Sequence, residues 1–181
     1  LIDKKGLASD IVNASTKPNK PEAEEITITE GTRLPGSGSG SSDTDQIIIG
    51  TDSSGAALSV SSATGNTTVH CTLTESGSST PAKYDGNPVT VPLPLKGAGE
   101  KNYKLEYYAD GTGFEATAKK TVYYKILQEY KVTFSVADGQ GKLQGAYGSQ
   151  NLTAQNSGGT KTLTNVPHGT SVTFTATADN G

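Results

Sequence analysis

From residue 25 onward, apolar and polar positions alternate with a period of two, as expected of strands with one face buried. "EITIT" sets Ile26 and Ile28 on one face, and "QIIIGTD" and "AALSVSS" are short apolar runs bounded by Gly and Ser. "NTTVHCTLTES" sends Val69, Cys71 and Leu73 inward and His70 and Thr72 outward. "NPVTVPLPLKG" places Val89, Val91, Leu93 and Leu95 on one face and Pro92 and Pro94 on the other. Two missing N–H donors exclude that segment from the centre of a sheet and predict an edge strand. "KNYKLEYYADG" buries Tyr103, Leu105 and Tyr107, and "FEATAKKTVYYKIL" buries Val122, Tyr124 and Ile126.

Some seven short strands separated by Gly, Asn and Asp turns predict an all-β chain whose residues 25–128 form an immunoglobulin-like sandwich. A second alternating unit starts with "YKVTFSV", turns at "ADGQG", and runs through "KLQGAYG" and a polar stretch to "PHGTSVTFTATADNG". With at most four strands in residues 129–181, its core is marginal. Its terminal D-N-G is a hairpin turn that normally launches a partner strand, so this unit is expected to be incomplete. Residues 1–24, with "STKPNKP" and few apolar groups, read as a poorly ordered linker. "TRLPGSGSGSSDTD" reads as a flexible loop; it resembles an engineered linker, but strands on both sides still need pairing, which favours a natural loop.

Composition narrows the function more than it names it. The 181 residues are 32% hydrophobic, without Met or Trp, and carry a net charge of −3 with pI near 5.4. Acids and bases are interspersed and no basic block exists, so a nucleic-acid partner is not expected. No run of about 20 apolar residues occurs, so no membrane insertion is expected either. Cys71 is the single cysteine, which excludes an intrachain disulfide.

Two stretches resemble bacterial surface modules. Val69 to Leu73, Ser78 to Pro81, Tyr84, Gly86, Pro88, Val89, Tyr124 and Ile126 resemble the pattern of the immunoglobulin-like domain at the C-terminus of chitobiases and β-hexosaminidases. Glu75-Ser76-Gly77 replaces the Asp-Gly usual in its turn, and the similarity spans about residues 50–127. Tyr130, Val132, Phe134, Val136, Leu143, Gly169, Val172, Phe174, Ala176 and Gly181 resemble the divergent internalin-B-type B repeat. That resemblance implies a small β-grasp-like unit, a repetitive surface protein and no catalytic role.

Candidate chemistry is sparse. His70 and Cys71 adjoin, but neighbouring strand residues face opposite ways, so they do not form a nucleophile pair and Cys71 reads as a buried hydrophobe. His168 reads as a surface turn residue, and two histidines so far apart make no zinc signature. Asp43, Asp45 and Asp52 are too few for a calcium loop. Glu106 and Glu115 fall on solvent-facing positions, so no acid/base pair is expected, and neither metal nor cofactor. Tyr108 and Tyr123 fall on outward phases of neighbouring strands, with Tyr84, Phe114 and Tyr147 on loops. Of these, Tyr108, Tyr123, Tyr84 and Phe114 are the candidate binding residues, because aromatic faces stack on sugars and proteins alike. The alternative is that these tyrosines are ordinary strand formers. The expectation is a non-catalytic structural or adhesive module of an extracellular, bacterial cell-surface protein, with a host or bacterial surface protein or glycan as partner. The alternative is an accessory carbohydrate-binding module of a glycan-degrading enzyme.

Overall fold

In the computed structural model, residues 20–137, 140–155 and 159–179 are described. They form twelve strands and no helix, so no helix crosses a membrane. In chain order these are β1 (Ile26–Thr29), β2 (Ile47–Thr51), β3 (Ala56–Ser62), β4 (Thr67–Glu75), β5 (Ala82–Gly86), β6 (Val89–Leu93), β7 (Glu100–Gly111), β8 (Lys120–Phe134), β9 (Gly141–Tyr147), β10 (Gln150–Gln155), β11 (Lys161–Pro167) and β12 (Thr173–Ala178).

The first eight strands build an immunoglobulin-like sandwich. One sheet has the order β1-β3-β6; the other runs β8-β7-β4-β5, with β2 added in parallel to β8. The chain passes from one sheet to the other between β1 and β2, β2 and β3, β3 and β4, β5 and β6, and β6 and β7. The alternation then places Leu58, Val60, Val89 and Val91 against Val69, Cys71, Leu105, Tyr124 and Ile126 in one dry layer. β6 lies at the edge of its sheet, where Pro92 costs no ladder bond, and Pro94 follows just past the strand's end. The Asn87 carboxamide fastens the two sheets. It accepts from the Ser62 amide at 3.0 Å and donates to the Ser62 carbonyl at 3.1 Å and Thr67 Oγ1 at 3.2 Å.

β8 departs from the sequence reading. Rather than ending near Ile126 and restarting at Tyr130, it is one 15-residue strand. Its first half pairs with β7 and β2, and its second half with β11. No Gly, Pro or Asn interrupts "ILQEYKV", so nothing in the chain compels a turn there. At the crossing point Gln128 donates its N–H to the Gly99 carbonyl at 2.8 Å, and its own carbonyl accepts from the His168 amide at 2.7 Å. A side chain at Gly99 would overlap the His168 ring, which explains the glycine.

Beyond the crossing, β8 and β11 face a second sheet of order β10-β9-β12 over a small core of Phe134, Ala154, Leu163 and Val166. Gly145 leaves room for the edge-to-face pair of Phe134 and Phe174, whose centroids lie 5.3 Å apart; a β-carbon there would come within 2.7 Å of the Phe134 ring. All six residues of β12 are exposed, Phe174 by 45%. The D-N-G turn expected after it includes Asn180 and Gly181, outside the described residues, as are residues 1–19 of the expected linker. Residues 21–23 pair instead with the chain near Glu115, and Ala23 is buried.

Candidate functional site

The functional surface to consider is the outer face of the larger sheet. β4 presents Thr68, His70, Thr72 and Thr74 there, and β7 presents the even positions from Asn102 to Asp110. Cross-strand register puts Asp85, His70 and Tyr108 in one row, and Thr74, Lys104 and Tyr123 in another. Tyr108 and Tyr123 thus share the face, as their alternation predicts, but stand four residues apart along the sheet, about 13 Å. They do not form one aromatic platform.

At one end His70 is clamped. Its Nδ1 lies 2.6 Å from Asp85 Oδ1 and its Nε2 lies 3.0 Å from Asp110 Oδ1, while its ring stacks on Tyr108 with centroids 4.8 Å apart. An imidazolium donates from both nitrogens, so this setting suits the charged ring. Burial opposes protonation, but hydrogen bonds and charge from Asp110 and Asp85 outweigh it and hold the pKa above the ordinary histidine value. With both nitrogens engaged, the ring is neither a free base nor a metal ligand. Phe114, half-buried, lies beyond it in the turn after β7 and lines a shallow depression with Asp110.

At the other end a cleft of about 250 Å³ lies between two ordered turns, with Asn102, Lys104 and Tyr123 among its walls. One rim is the turn after β4, where Ser78 donates to the Glu75 carbonyl at 2.9 Å and Ser76 to the Asn102 carbonyl at 2.9 Å. The opposite rim carries Asp43 and Gln46 and belongs to the Gly-Ser segment before β2. That segment is firmly held. The Asp45 carboxylate accepts from the Ser39 amide at 3.2 Å, from Ser41 Oγ at 2.7 Å and from Ser39 Oγ. These bonds hold its pKa below the usual aspartate value, Ser39 contributing most. Gly40 accepts from the Tyr123 amide at 3.0 Å and has φ 83°, and a β-carbon at Gly38 would overlap Asp45. Glycine is required at both positions, so this stretch is a shaped loop rather than a tether.

Two aromatic assignments change. Tyr84 lies on β5 rather than a loop, opposite Cys71 and turned inward against the core, because Lys83 and Asp85 take the outward phase. Tyr147 ends β9 and packs on the second core. Cys71 is buried, and burial pushes its thiol up to about 11. Asp52 accepts from the Ser54 amide at 2.8 Å, and Glu115 lies in a loop paired with the chain at Pro21. Among the described residues no three His, Cys, Asp or Glu side chains are placed to share a metal ion. His168 sits at the end of β11 beside Tyr130, with 3.4 Å between Nδ1 and the tyrosine hydroxyl. Sequence reasoning missed the His70 clamp and the Asn102 cleft, because both are assembled across strands distant in the chain.

No family model matches the sequence, and no curated protein does. Among solved structures the chain is similar to the FN1–FN3 domains of chicken CNTN1, with 8% identity and a TM-score of 0.33. The match covers 83% of this chain and 66% of that one, so the chain spans just under two thirds of the structure it matches. What stands on the strand order and registers themselves is an all-β protein with an immunoglobulin-like sandwich.

Proposed function

We propose that this chain is a non-catalytic spacing and presenting segment of an extracellular protein of the bacterial cell surface. Its sandwich is of the chitobiase-terminal type and its second unit of the internalin-repeat type. The observation that carries this reading is the uninterrupted β8, which belongs to both hydrophobic cores. A linker of free residues lets two units swing, whereas a shared ladder of backbone hydrogen bonds transmits orientation from one to the next. The Gln128 bonds to Gly99 and His168 brace that joint. Inert, dry cores and a thiol held protonated also favour a mechanical role over a chemical one. The partner at the tip of such a stalk would be a surface protein or glycan of host or bacterium.

Spin labels at the exposed Ser79 and Ser149 test the stiffness on which the role depends. One narrow distance distribution is expected for the chain, broadening when three glycines are inserted between Gln128 and Glu129. A broad distribution in the uninserted chain contradicts a spacing role.

A further inference from the structure

We propose that the cleft beside Tyr123 is a binding subsite for a neutral sugar residue, a function separate from the spacing role. Four observations converge on it. Both rims are ordered turns, fixed by the Asp45 bonds on one side and by the Ser76 and Ser78 amides on the other, so the cleft exists before any ligand arrives. Its volume of about 250 Å³ falls just below the range of drug-sized sites, a scale that suits one sugar ring. Tyr123 contributes an aromatic surface, on which the C–H face of a sugar packs. Asn102 Oδ1, at the cleft wall, is shielded from solvent and has no hydrogen-bond partner. A buried acceptor left unpaired is costly, and a hydroxyl donor brought to this wall of the cleft would satisfy it.

The charges select the ligand class. Lys104 has a carboxylate partner, Glu106 at 3.3 Å, and Glu75 is paired with Lys101. That leaves Asp43 as the lining carboxylate without an ion pair among the described residues, while the paired Glu75 and Lys104 share the lining with carboxamide, hydroxyl and aromatic groups. An anion such as phosphate meets no unpaired cation there, and a metal ion finds too few oxygens. Sugar hydroxyls both donate and accept, and so match a lining of two carboxamides, serine and threonine hydroxyls and the unpaired Asp43 carboxylate.

The test is an amide-resolved NMR titration of the full chain with neutral hexoses, N-acetylhexosamines and their β-linked and α-linked tetramers at millimolar concentration. Shifts are expected at Thr74, Asn102 and Tyr123 and on the 43–46 rim, saturating with one class of sugar. Tyr123→Ala is expected to weaken binding about tenfold, the scale of one aromatic contact, and Asn102→Ala to weaken it as well. Tyr108→Ala, at the far end of the sheet, is expected to bind as the parent does. A dispersed spectrum for each variant separates lost binding from lost folding. The proposal is overturned if no neutral sugar shifts the cleft, if shifts centre on His70 and Tyr108, or if binding survives Tyr123→Ala. None of these outcomes touches the stiffness of the β8 joint.

Discussion

Leu163→Ala separates the two cores energetically. Leu163 is fully buried on β11, opposite Val132 of β8, and belongs to a core of four buried side chains, against seventeen in the sandwich. Removing three carbons at about 0.8 kcal/mol each loses about 2.4 kcal/mol of transfer free energy. The residual cavity raises the cost toward about 3–5 kcal/mol. Half-buried neighbours such as Leu143 and Leu152 can settle into the gap, which places the loss near about 3 kcal/mol. Small domains hold only about 5 kcal/mol in total, and four buried side chains support less. The second unit then opens by itself while the sandwich remains closed. Native-state hydrogen exchange reads this directly. Protection of β9, β10 and β12 amides is expected to fall about a hundredfold, from about 1.4 kcal/mol per decade, with β3, β4, β6 and β7 unchanged. An equal loss throughout the chain, or a loss under tenfold in β9–β12, refutes the assignment of two separate cores.

His70 ties β4 to β5 and β7 as a cation, so its raised pKa gives the sign of a pH effect. The clamp's stability is fully present below the unfolded histidine value near 6.5 and is lost as pH rises through the folded value. Its NMR titration midpoint is expected above the ordinary histidine value near 6.5, and His70→Gln is expected to flatten the pH dependence of the melting temperature above that value. Asp45 has the opposite sign: its stabilisation is present above the ordinary aspartate value and disappears as pH falls through the lowered one. Asp45→Ala is expected to speed amide exchange at Ser39 and Ile48; unchanged exchange there would show that the carboxylate does not hold the loop. Cys71, buried with its pKa near 11, is expected to resist thiol reagents at pH 8 until denaturant is added. Rapid native labelling would place it outside the core.

What the sequence made legible was local. Strict alternation with large inward residues identified the buried faces of β4, β6 and β7, because a period of two fixes a strand's facing once one side is dry. The prolines identified the β6 edge, because a missing N–H has one tolerable place in a sheet. What remained illegible was set by pairing at a distance. β2 lies parallel to β8 some 77 positions away, and no local signal carries that register. His70 meets Asp85 and Asp110 across 15 and 40 residues. Composition misdirected the reading of "GSGSG", where serine hydroxyls and one aspartate turn flexible residues into a fixed rim. The joint at Gln128 could have been found: polar residues lacking any turn former extend a strand into solvent rather than break it.

The stiffness of the β8 joint is read most directly from residual dipolar couplings of the backbone amides in one aligned sample. If β8 holds both cores in fixed relation, a single alignment tensor fits β3, β4 and β7 together with β9, β11 and β12. Two tensors of different magnitude or orientation would mean that the units reorient independently, and a shared strand would then not make this chain a stalk.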